Sequence, residues 1–119
     1  MNTKLDFDKS NGLIPVIIQH AETLQVLMLG YMNEEAWQLT MNTGKVTFYS
    51  RSRNSIWLKG ETSGNYLNLH DYFVDCDNDT ILITALPIGP TCHRGTTTCF
   101  DVQNASGDVT KVPPAKTQQ

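Results

Sequence analysis

Three cysteines occur in this 119-residue chain, at positions 76, 92 and 99, and each stands beside residues able to complete a metal site. Cys76 lies inside the run Asp75, Cys76, Asp77, Asn78, Asp79, Thr80. Cys92 and Cys99 bound the run Cys92, His93, Arg94, Gly95, Thr96, Thr97, Thr98, Cys99. Thiolates suit zinc, whereas carboxylate oxygens suit magnesium or another hard cation. A fold that uses both sets must return distant segments to one place, so the window 75–99 reads as a two-metal hydrolytic site.

Asp75, Asp77 and Asp79 can surround one hard cation if two share a strand face and a turn folds the third inward. Their spacing resembles the first half of an EF-hand loop, but Thr80 and Leu86 stand where that loop needs glycine and glutamate. The alternative is a solvated turn; mutual repulsion of three acids favours a cation. In an extended strand the Cys76 sulfur points away from the acids. Cys92 and Cys99 converge only if the loop between them doubles back at Gly95. Three thiolates would leave a fourth zinc position open, as catalytic sites do. His93 either closes that position, making a structural site, or serves as a proton-transfer group beside it.

Around this window the apolar pattern is mostly that of short strands. Strands are expected over 13–19, with Pro15 near the start or on an edge, and over 26–29, 46–50, 56–59, 66–74 and 80–86. One helix is expected from 34 to about 42, with Asn33 as N-cap, Glu34 and Glu35 in its first turn and Gly44 past its end. Tyr31, Trp37, Trp57, Met28, Met32 and Met41 read as core. The pattern predicts an α+β, β-rich single domain: a single curved antiparallel or mixed sheet, half-barrel-like, with one main helix. Residues 1–12 form a polar lead, 13–103 the folded domain and 104–119 a flexible tail.

Arg51 and Arg53 share a face if their segment is extended, which suits phosphate. Lys59 follows, beside a loop bracketed by Gly60 and Gly64 that holds Glu61 and Ser63. These are the candidate anion contacts; the competing reading is a solvated hairpin. A net charge of -3 and a pI near 5.4 exclude bulk attraction to nucleic acid or an acidic membrane. With no apolar leader, no stretch long enough to span a bilayer and an odd number of cysteines, the expectation is a cytoplasmic protein with reduced thiols.

Five strings in order (residues 27–33, 48–53, 56–64, 75–80 and 89–100) resemble the phosphoribosyl-AMP cyclohydrolase family of histidine biosynthesis. The resemblance implies a zinc- and magnesium-dependent hydrolase that opens the adenine ring of 1-(5-phosphoribosyl)-AMP between N1 and C6, with zinc-bound hydroxide as nucleophile. It implies Cys76, Cys92 and Cys99 as zinc ligands, Asp75, Asp77 and Asp79 as magnesium ligands, and a homodimer whose zinc ligands come from both subunits. The two phosphates of that substrate would give Arg51, Arg53 and Lys59 their purpose. Departures from the family pattern are Arg94, Gly95, Thr96, Thr97 and Thr98 before the last cysteine, and Gly30 where alanine is more usual, a change expected to be tolerated. Some relatives carry a second, pyrophosphohydrolase domain; a chain ending at Gln119 is expected to leave that step to another protein.

Two rival classes remain. A non-catalytic binding module closed around zinc by Cys76, Cys92, Cys99 and His93 would unfold on chelation. A zinc nucleobase deaminase needs a histidine or cysteine followed by glutamate, together with a Cys-x-x-Cys pair, and no Cys-x-x-Cys pair occurs here.

Overall fold

The computed structural model describes residues 5–8, 11–92 and 95–100. Its elements are β1 (Ile14–His20), β2 (Val26–Met32), α1 (Glu34–Thr43), β3 (Thr47–Ser50), β4 (Ser55–Leu58), β5 (Leu67–Val74) and β6 (Ile81–Pro87). The architecture is α+β and β-rich with one helix, as the sequence pattern predicts. The 104–119 tail lies outside the described residues.

Pleating sends alternate strand residues to opposite faces. Ile14, Val16 and Ile18 of β1 are fully buried, as are Ile81, Ile83 and Ala85 of β6. Parallel pairing sets Val16 beside Ile81 and Ile18 beside Ile83, so the two apolar rows merge into one core layer. Antiparallel β2 and β5 flank this pair, giving an open mixed sheet of order β2-β1-β6-β5 that is not closed into a barrel. Pro15, which lacks an N–H, sits just before Val16, where the β6 ladder begins. The second strand runs past its expected end at Leu29, because Gly30 and Met32 keep pairing with Val16 and Ile14.

The helix stops and starts where its local chemistry directs. Asn33 Oδ1 accepts the Ala36 N–H at 2.9 Å. Gly44 adopts φ +75° and donates its N–H to Thr40 O at 3.0 Å, ending α1 in the left-handed conformation glycine takes without strain. Ala36, Trp37 and Thr40 form the buried face. Fully buried Thr40 donates its hydroxyl to Ala36 O at 2.9 Å and accepts the Thr47 N–H at 3.0 Å, joining α1 to β3.

β3 and β4 form a separate two-stranded ribbon, which the expectation of a single sheet did not separate. It carries Phe48 into the core, its ring 5.6 Å from that of Trp57. A Cβ placed on Gly30 would meet Phe48 Cδ1 at 2.6 Å. Alanine at position 30 would require a buried ring to shift, so glycine is the residue that fits beside Phe48 in this chain. Met28, Met32 and Trp37 are core as expected, while Met41 and Trp57 are half-buried against it. Tyr31 differs: it is only half-buried, and its ring carries the Arg51 guanidinium 3.9 Å from the centroid.

Part of the N-terminal lead packs on this framework. Leu5 and Phe7 lie against the core, and the Asp6 N–H donates to Asn78 O at 2.7 Å. Among the described residues no helix is long and apolar enough to cross a membrane.

Candidate functional site

The connection from β5 to β6 is a compact turn over residues 75–80. Asp75 N–H donates to Thr80 O at 3.1 Å and Asn78 N–H to Asp75 O at 3.2 Å, with Asn78 at φ +65°. Asp75 Oδ1 in turn accepts the N–H groups of Asp79 at 3.0 Å and Thr80 at 3.2 Å. Folded this way, Asp75, Asp77 and Asp79 present carboxylate oxygens within 4.8 Å of one another. Since the segment is a turn, the face alternation expected of an extended strand does not apply to Cys76. That expectation is corrected.

The two outer acids respond oppositely to this crowding. Burial works to raise the Asp75 carboxyl, but the Asp79 N–H, the Asp79 carboxyl, the Thr80 N–H and the Asp77 carboxyl outweigh it and hold Asp75 below its ordinary 3.8. Hydrogen bonding to Asp77, followed by desolvation, the Asp75 carboxyl and the charges of both neighbours, pushes Asp79 upward. One acid keeps its charge and another resists acquiring it. An all-oxygen donor set under such repulsion fits a hard divalent cation.

None of the three cysteines is in a disulfide. The loop between Cys92 and Cys99 does double back: Cys92 N–H donates to Thr96 O at 3.1 Å and Gly95 N–H to Cys92 O at 2.9 Å. Cys99 N–H then donates to Leu27 O at 2.8 Å, and Thr98 Oγ1 to Val26 O at 2.7 Å, fastening this segment to β2. Cys76 instead follows β5, at the opposite edge of the sheet. Three inter-strand spacings amount to roughly 14 Å, well beyond the separation of two sulfurs sharing one zinc at about 2.3 Å each. Among the described residues the acids form a potential metal-holding group and the three cysteines of one chain do not. His93, the proton-transfer candidate, lies outside the described residues, as does Arg94.

The anion candidates separate into two places. Lys59, Glu61 and Ser63 line a cavity of about 290 Å³ with Trp57, Thr91 and Cys92. Gly60 makes its wall possible: at φ +93° its missing Cβ would lie 2.6 Å from the Asn65 carbonyl carbon. Lys59 is buried, and its ammonium lies 5.8 Å from the centre of the Trp57 ring. The arginines do not join it. Their segment is a turn, so the shared face expected of an extended run is absent: Arg51 stacks on Tyr31, and Arg53 lines a second cavity with Ser50, Ser52 and Trp57. Trp57, assigned to the core from sequence, thus forms a wall of both cavities. Thr91 lies within the 89–100 string, which by itself gives it no role; only the meeting of two distant loops places it in the cavity wall.

The fold and these sites define a β-rich α+β protein with a hard-cation acid cluster and a lysine-bearing cavity walled in part by a cysteine. Residues 28–101 match the phosphoribosyl-AMP cyclohydrolase family, and the chain belongs to that family. Similar proteins include the histidine biosynthesis bifunctional protein HisIE of Shigella flexneri, 60% identical over 97 residues, covering 82% of this chain and 48% of that protein. The protein of the same name from Bacteroides thetaiotaomicron is 59% identical over 101 residues, covering 85% and 50%. That of Campylobacter jejuni is 51% identical over 108 residues, covering 91% and 52%. The chain spans about half the length of these relatives.

Proposed function

We propose that this chain hydrolyses the N1–C6 bond of the adenine ring in 1-(5-phosphoribosyl)-AMP, giving the phosphoribosylformimino imidazole carboxamide ribotide in L-histidine biosynthesis. What carries the reading is the cavity in which Lys59, Glu61 and Ser63 meet Cys92, inside the segment that matches the family. Residues 13–103 make up the catalytic unit, acting in the cytoplasm.

In this reading Cys76, Cys92 and Cys99 hold zinc, and Asp75, Asp77 and Asp79 hold magnesium. Zinc, when bound, supplies Lewis-acid activation of the attacking water. Lys59 and Ser63 bind anionic oxygens of the nucleotide, Glu61 accepts its hydroxyl groups, and Arg53 reaches phosphate from the adjoining cavity. Arg51, braced on Tyr31, adds charge at the same end of the ribbon. His93 gives a proton to ring N1 as its bond to C6 breaks. The separation of Cys76 from Cys99 across the sheet supports a homodimer in which each zinc draws on both chains.

Zinc-loaded protein mixed with phosphoribosyl-AMP and magnesium is expected to remove the purine absorbance, and a Cys99→Ser variant to leave it intact. Unchanged absorbance with folded, zinc-loaded parent protein would overturn the hydrolase reading in favour of a non-catalytic zinc-stabilised binding module.

A further inference from the structure

Two residues in the wall of the larger cavity, Lys59 and Thr91, are more than nine-tenths buried, and the Thr91 hydroxyl is unmatched by protein among the described residues. Thr91 retains 2% of its exposure, and among the described residues its Oγ1 has no hydrogen-bond partner. Lys59 retains 8%, and its ammonium has the Trp57 ring as its partner among the described residues. A buried hydroxyl without a partner forfeits its hydration for nothing in return, and native structures hold few such groups. Within a fold whose neighbouring threonines are satisfied, Thr40 by Ala36 and Thr47 and Thr98 by Val26, the exception at Thr91 stands out. It also stands in a wall of the cavity, next in sequence to Cys92.

We infer that Thr91 is a nucleotide-binding residue, its hydroxyl kept unsatisfied in the free protein and completed by a hydrogen bond to ligand in this cavity. The choice of a nucleotide as ligand rests on the hydrolase reading; the ligand-facing role of the hydroxyl rests on the cavity. The hydroxyl is shielded from solvent in the free protein, so rotation about χ1 to another staggered position is the movement that would bring it to the cavity wall when ligand is bound. The hydroxyl both donates and accepts, whereas Lys59 only donates. The pair therefore suits a ligand offering an acceptor oxygen or nitrogen to the lysine and either partner to the threonine. The free protein bears the cost of the unmatched hydroxyl, and the complex recovers it.

This arrangement predicts opposite effects of one substitution on stability and on binding. Thr91→Val preserves side-chain shape and removes the unmatched hydroxyl, so the unliganded, zinc-loaded protein is expected to melt a few degrees higher. Calorimetric titration with AMP is expected to show binding about tenfold weaker than in the parent, the loss of one hydrogen bond. Thr91→Ser, which keeps the hydroxyl, is expected to stay within about threefold of the parent. A fall in melting temperature on Thr91→Val would make the hydroxyl structural and overturn the inference. AMP affinity unmoved by Thr91→Val, or no AMP binding by the parent, would overturn it as well. The ring-opening assay of the parent separates the two readings. Turnover with unmoved affinity sinks the Thr91 inference alone, while a tenfold weaker AMP complex without turnover sinks the hydrolase reading and leaves Thr91 as a nucleotide contact.

Discussion

At Asp79 a single carboxyl is set against its neighbours: the Asp77 carboxyl that it hydrogen-bonds, its desolvation and the charge of Asp75 all favour its protonated form. An acid whose folded pKa is raised stabilises the fold below its ordinary value, here 3.8, and loses that contribution as pH rises through the raised value. Asp75 behaves oppositely, contributing above its ordinary value and losing its contribution as pH falls through the lowered one. At neutral pH and without a divalent cation, the turn therefore carries repulsion centred on Asp79. Asp79→Asn is expected to raise the melting temperature at pH 7 in chelator, with the gain vanishing as the pH falls below the ordinary carboxylate value. Magnesium should raise the melting temperature of the parent and act much less on the variant. A variant that melts lower than the parent at pH 7 in chelator would show the acids supporting the turn without a cation.

Between elements, the bond from α1 to β3 through Thr40 is the most exposed to failure, since a buried hydroxyl answers a buried N–H there. Thr40→Val keeps the shape and strands the Thr47 N–H, at a cost of about 1–3 kcal/mol. Urea denaturation checks this, and an unchanged midpoint would mean that Thr47 finds another acceptor. The helix itself was legible in the chain because its signals are local: Asn33 caps it and Gly44 ends it within the same few residues that form it. The inward rows of β1 and β6 were legible for a similar reason, period-two alternation. Their parallel pairing was not, because it depends on a crossover through α1 and the β3–β4 ribbon that no short stretch encodes. The continuation of β2 through Gly30 was hidden as well, since glycine carries no strand signal of its own. The acid cluster spans five residues of one turn and could be read directly. The cavity joins the loop after β4 to the loop after β6, so Thr91 and the second role of Trp57 emerge only once those loops meet.

For the whole molecule, the decisive constraint is that β2 and β5 are the outer strands of one sheet. Cys99 is fastened to Leu27 of β2 and Cys76 follows β5, so the width of the sheet lies between two ligands proposed for the same zinc. The proposed symmetric dimer would resolve this by pairing Cys76 of one chain with Cys92 and Cys99 of the other, twice, around a two-fold axis. Complementation tests the geometry directly. Cys76→Ser and Cys92→Ser proteins should each fail to open the purine ring, because each lacks a ligand in both sites. Unfolded together and refolded in equal amounts, they should recover about a quarter of the parent activity and zinc content: half of the dimers are mixed, and each mixed dimer rebuilds one of its two sites. If every zinc site belonged to a single chain, each subunit in the mixture would still lack a cysteine and no activity would return. Recovery near a quarter therefore requires ligands from both chains, and its absence from refolded dimers would mean that each zinc site draws its cysteines from a single chain.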